Sequence, residues 1–122
     1  MKDFRSLRVW HKAHALTLEC YRASSDFPKF ELYGLTSQMR RCAASIAANI
    51  SEACGKRGNG EFQRFLGIAA GSASELEYHL LLARDLHFIT AHDYGPLNGA
   101  VVEVKCMLAS LIHKVEKERI AS

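Results

Sequence analysis

The chain is 122 residues long and 48% apolar, with a formal net charge of +3 and a pI near 8.7. That length suits one domain, able to bury about two thirds of the surface its unfolded chain exposes. The charge falls short of the pI above about 9 that marks a dedicated nucleic-acid binder. No apolar run reaches the roughly 18 residues a membrane span needs, and the start, MKDFRSLRVW, lacks the apolar segment of a secretory signal, so a cytoplasmic location is expected.

The elements follow in chain order from apolar steps of four and three residues, which keep one stripe of a helix facing a common core. Val9, Ala13, Leu16, Cys20, Ala23 and Phe27 keep that rhythm and predict a helix over about 7–27, stopped by Phe27-Pro28. Leu35, Met39, Cys42, Ile46, Asn49 and Ala53 predict a second over about 35–55, with Asn49 as a polar intruder that fixes helix register and shares hydrogen bonds with Ser45. Gly55 is expected to end it in the left-handed conformation, and Asn59 or Gly60 to cap the next helix ahead of Glu61.

The third stripe, Phe62, Leu66, Ala69, Ala73, Leu76, Leu80 and Ala83, predicts a helix over about 60–89. Its far end is apolar on more than one side, so Leu81, Leu82, Leu86, Phe88 and Ile89 are expected at the surface as an oligomer interface, together with Trp10 and Tyr21. Asp93 and Pro96 frame the last start, and Leu97, Val101, Val104, Leu108, Leu111 and Val115 carry a fourth helix over about 95–118. No stretch alternates with period two. With short connections throughout, the expectation is an all-α fold: an antiparallel up-down-up-down four-helix bundle.

Around the bend at 55–60, facing residues have numbers that sum to about 115. Ala48 then falls level with Gly67, and Ala44 with Gly71, which predicts close backbone approach between the two helices. Arg40 and Arg41 fall level with Glu75 and Glu77, an expected interhelical salt-bridge set. Charge is also uneven along the chain: residues 1–12 and 40–64 each carry +3 and residues 75–93 carry −3, so the molecule is expected to be electrostatically two-sided.

Chemistry-bearing motifs are missing. The glycines at 55, 58 and 60 do not form G-x-x-x-x-G-K-[ST], there is no G-x-G-x-x-G, and Gly71-Ser72-Ala73-Ser74 is not G-x-S-x-G. The paired E-x-x-H repeats of a di-iron bundle are absent. His11 and His14 offer two zinc ligands, but the plainer reading is a surface pair. Cys20, Cys42, Cys54 and Cys106 lack C-x-x-C spacing and read as reduced core residues. No catalytic, cofactor or metal site is expected, and the chain reads as a non-enzyme.

FRSLRVWHKA, FPKFELYGLTSQMRRCAASIAANISEACGKR and EFQRFLGIAAGSASELEYHL together resemble the four-helix bundle family encoded in intervening sequences of large-subunit ribosomal RNA genes, which is similar to the accessory protein of diversity-generating retroelements. The resemblance runs to about Tyr94, with Ala53 standing where the family commonly has glycine and Ser51 where it has alanine. It implies a ring-shaped homo-oligomer, a homopentamer. From the retroelement relative it implies binding of nucleic acid and of a nucleic-acid-processing protein through basic surfaces. Carried over by position, those residues are Arg40, Arg41, Lys56, Arg57 and Arg64. The resulting expectation is a non-enzymatic oligomeric scaffold that binds RNA or a nucleoprotein; the alternative is a protein-protein interaction module that binds no nucleic acid.

Overall fold

The computed structural model describes residues 2–121 and contains four long helices, with no strand among the described residues. They are α1 (Arg8–Ser24), α2 (Leu35–Cys54), α3 (Asn59–Asp85) and α4 (Ala91–Ala121), with single 3₁₀ turns at Phe4–Ser6 and Lys29–Glu31. Each helix packs on its neighbours in chain order and α1 closes on α4, while the backbones of the diagonal pairs lie farther apart. This is the four-helix bundle that the stripes predict.

Every apolar residue of the α3 stripe is buried, as are Val9, Ala13, Leu16 and Cys20 of α1 and Leu97, Val101, Val104, Leu108 and Val115 of α4. Helix α2 is buried across a wider arc, because Ala43, Ala47, Ile50 and Cys54 join Met39, Cys42 and Ile46 in the core. Its contact with α3 is the most extensive in the bundle. Helix α4 is long and apolar enough, by length and composition, to cross a bilayer. Its stripe, however, faces the bundle interior, and Glu103 and Lys105 sit halfway along it.

Polar bonds tie the helices together at a few points. Thr17 Oγ1 donates to the Ala13 carbonyl on its own helix at 2.8 Å and lies 3.1 Å from the Ala43 carbonyl on α2. Asn49 is half-buried where a buried amide was expected, and it donates through Nδ2 to the carbonyl and hydroxyl of Ser45, the expected partner, at 2.8 and 2.9 Å. Ser45 in turn shares a 2.9 Å hydroxyl bond with Ser72 of α3. The backbone N–H of Lys2 donates to the Cys54 carbonyl at 3.0 Å, which lays the amino terminus across the end of α2.

The helix ends depart from the sequence expectations. Gly55 stays right-handed (φ −83°, ψ −8°), its N–H shared between the Ser51 and Glu52 carbonyls, and the reversal falls instead on Gly58 at φ +79°. Gly58, with no side chain to offer, is the N-cap of α3, so neither Asn59 nor Gly60 caps it. Helix α1 ends at Ser24; a turn then carries Phe27 into the core against Phe88, their rings 5.6 Å apart. Helix α4 begins before the proline, capped by Thr90 Oγ1, which accepts from the Asp93 N–H at 3.1 Å, and Pro96 lies inside it.

The end of α3 is the strained one. His87 adopts φ +64°, its N–H donates to Arg84 and that of Phe88 donates to Ala83. This is a Schellman closure with histidine where glycine is normally found. It folds Phe88 and Ile89 back onto the bundle. Ile89 is therefore buried and Phe88 half-buried, which corrects the expectation that both lie at the surface.

Gly67 and Gly71 also fall outside expectation. A Cβ at either would meet nothing within 4 Å, so they face open space and do not mark a close approach to Ala48 and Ala44. Both glycines are exposed and lie off the buried stripe of α3.

Of the cysteines, Cys20, Cys42 and Cys54 are free and buried, and Cys106 is exposed. Burial pushes the Cys20 and Cys42 thiols up to about 12 and raises Cys54 as well, so with no cation beside them these three thiols hold their protons at neutral pH.

Two sets of variants test these points by urea unfolding. Gly58→Ala is expected to cost about 1 to 2 kcal/mol and Gly55→Ala nothing, while His87→Gly gains up to about 1 kcal/mol by relieving the left-handed strain. Ser45→Ala and Ser72→Ala are each expected to cost about 1 kcal/mol, and the double variant less than their sum because they share one bond.

Candidate nucleic-acid interface

The antiparallel arrangement sorts charge by end. One end of the bundle gathers the start of α1, the α2–α3 turn and the last turns of α4. It holds Lys2, Arg5, Arg8, Lys56, Arg57, Arg64, Lys114, Lys117 and Arg119 against Asp3, Glu52, Glu61, Glu116 and Glu118. The opposite end holds Arg22, Lys29, Arg40, Arg41 and Arg84 against Glu19, Asp26, Glu31, Glu75, Glu77, Asp85 and Asp93. The expected two-sidedness thus runs along the bundle axis, basic at the turn end and acidic at the other.

The five candidate binding residues divide between these ends, because Arg40 stands about 21 Å along α2 from Cys54 at 1.5 Å per residue, and Lys56 lies in the turn beyond it. Lys56, Arg57 and Arg64 surround the turn. Lys56 Nζ lies 3.3 Å from Glu52 and 5.1 Å from the centre of the Phe65 ring, and Arg64 stacks on that ring at 4.5 Å with Nε 3.1 Å from Glu61. Half-buried Phe65 thus positions two cations, and both remain solvent-facing. Arg57 is exposed and has no ion pair among the described residues.

Arg40 has another task. Its Nε donates to Ser24 Oγ at 2.8 Å, Nη2 reaches the Tyr21 carbonyl at 3.4 Å, and the guanidinium sits 4.9 Å from the Tyr21 ring centre. It closes the carboxyl end of α1, where unpaired carbonyls favour a cation. The expected salt bridges from Arg40 and Arg41 to Glu75 and Glu77 are therefore not formed: Glu77 pairs with Lys105 of α4 at 2.6 Å, and Glu75 holds His79. Arg40 turns toward α1 while Glu77 turns toward α4, so equal height along the bundle did not make them neighbours. Arg41 is exposed and unpaired among the described residues, at the acidic end.

The sequence reading missed the contribution of α4. Lys114 and Lys117 are exposed beside the amino-terminal cations, and Lys114 shares a groove with Arg8. Arg119 is held by Glu116, at 3.7 Å, and by Gln63, which also donates to Glu116. The charge run from His113 to Arg119 was the available signal, legible only once the last helix was placed against the first.

The expected apolar interface is mixed. Trp10 packs against the core and stacks on His14 at 5.1 Å, Leu82 packs inward, Leu81 is half-buried and Leu86 is exposed. The most exposed aromatic side chains lie elsewhere, at Phe30 and Tyr33 before α2. His11 donates to the Arg5 carbonyl at 2.7 Å, so it and His14 form the plain surface pair.

A family model described as 23S rRNA-intervening sequence protein matches residues 5–110. The chain is also similar to a crystal structure of a protein of unknown function from the S23 ribosomal protein family of Bacteroides thetaiotaomicron VPI-5482. The two are 28% identical with a TM-score of 0.77, over 85% of this chain and 97% of that one. No curated protein sequence matches. With a match across most of its length and a bundle shared with that structure, the chain belongs to the 23S rRNA-intervening sequence protein family.

Proposed function

We propose that this protein is a non-enzymatic helical scaffold that assembles with copies of itself, as a homopentameric ring, and holds structured RNA by its phosphates at the basic end of the bundle. The observation that carries the reading is the gathering of cations from three separate chain segments onto one end. Phosphate contacts of this kind position a nucleic acid without reading its sequence. The resemblance to the accessory protein of diversity-generating retroelements, which implies binding through basic surfaces, supports a nucleic acid as the ligand. Arg57, Lys56 and Arg64 make the contacts, with Arg8, Lys114 and Lys117 beside them. Arg40 acts through the fold, and Arg41 stands too far away to join them.

The second reading is a protein-protein interaction module that binds no nucleic acid, favoured by the exposure of Phe30 and Tyr33. A titration of the intact protein against structured RNA at several salt concentrations separates the two. On the first reading the log of affinity falls by about 0.7 to 0.9 per phosphate contact per log unit of salt. Lys56→Ala with Arg57→Ala and Arg64→Ala is then expected to lower that slope by about 2 to 3, while Arg41→Ala leaves it unchanged. Retention that is absent at low salt, beside a defined oligomer by light scattering, establishes the second reading instead.

A further inference from the structure

The geometry points to a divalent transition-metal site of the zinc class, built by Cys42 of α2 with Glu75 and His79 of α3. Glu75 and His79 are one helical turn apart, so their side chains lie on the same side of α3. The α2–α3 packing brings Cys42 to them, and one donor atom from each of the three residues lies within 4.8 Å of the other two. The His79 Nε2 to Glu75 Oε2 separation is 3.0 Å. Around tetrahedral zinc, with bonds of about 2.0 to 2.3 Å, donors stand about 3.4 to 3.6 Å apart. Side-chain movements of about 1 Å, the gap between those spacings, close the site.

The three residues have little else to do. His79 is 7% exposed, and its Nδ1 is buried without a hydrogen-bond partner. A neutral imidazole carries one N–H and one lone pair. Glu75 takes the N–H, and the lone pair finds no donor among the described residues. If the tautomer is reversed, a lone pair faces the carboxylate at 3.0 Å and the N–H is orphaned. Nδ1 is thus unpaired with or without an ion on Nε2, and the three converging donors alone mark the site. Cys42 has only a weak 3.4 Å contact to the Met39 carbonyl on its own helix. Glu75 has no Lys or Arg partner among the described residues, because Arg40 turns to α1 and Lys105 pairs with Glu77.

The donor set also selects the ion. Thiolate sulfur, imidazole nitrogen and carboxylate oxygen together suit zinc and exclude the all-oxygen preference of calcium and magnesium. A thiolate and a carboxylate offset the charge of a dication, so the buried ensemble is neutral. Cys42 and His79 close the inner side, whereas Glu75, with its side chain 57% exposed, leaves an entry path and a fourth position open to water. Bound there, the ion clamps α2 to α3 in the half of the bundle remote from the basic end.

The test uses the full chain carrying Cys106→Ser, which removes the exposed thiol, after treatment with a chelator. Cobalt(II) alone, then zinc(II) alone, is titrated. The expected result is one equivalent per chain, a thiolate-to-cobalt charge-transfer band in the near ultraviolet, and a melting temperature raised by either ion. Cys42→Ser is expected to abolish the band. Glu75→Gln, at an exposed position that leaves the core intact, is expected to weaken binding at least about tenfold. The proposal is overturned by the absence of a charge-transfer band, by a band that survives Cys42→Ser, or by equal affinity in Glu75→Gln. If Cys42→Ser does not fold, the Glu75→Gln comparison decides alone.

Discussion

Four apolar stripes of matching length have to share one interior, and almost every other feature of this molecule follows from how they do it. A lone amphipathic helix of this length is marginal in water; burying its stripe against two neighbours stabilises it. Fully buried Leu16, Met39, Ile46, Ile50, Leu66, Leu76, Leu80 and Leu108 each contribute about 1.5 to 3 kcal/mol. Most of the continuous apolar surface is spent in that contact, and the charged residues are left to the outer faces and the ends.

Antiparallel packing then decides where charge goes. Segments far apart in sequence meet at the ends, so the amino-terminal cations, those of the turn and those of the last helix converge although no single stretch is strongly basic. A net charge of +3 is a poor description of such a molecule, because any charged molecule that approaches it meets one end and not the average. At the other end, acids that lack basic partners become available to something else, as Glu75 does.

The stripes were legible in sequence because helical periodicity is local, and the positions in them that ended up inside were nearly all anticipated. Asn49 was legible for the same reason: one amide on an apolar stripe has few partners, and Ser45 one turn earlier was within reach. What sequence did not show depends on rotation about helix axes and on backbone angles. Arg40 shares a height with Glu75 yet turns away to cap α1. Gly67 and Gly71, expected level with Ala48 and Ala44, face open space. The left-handed residue ending α3 is a histidine, which propensity argues against, and that single backbone angle sends Phe88 and Ile89 inward. The basic end was half visible, because the turn and amino-terminal charges were counted but the last helix had not been set beside them.

The distribution of the thiols carries a practical consequence. Three are shut inside, their acidity suppressed by burial, while Cys106 stands on the outer side of α4 in the groove it shares with Leu7, Arg8 and Lys114. A thiol-selective fluorophore offered to the folded chain therefore attaches at one defined point beside the basic end, giving a reporter that senses what arrives there without disturbing the interior.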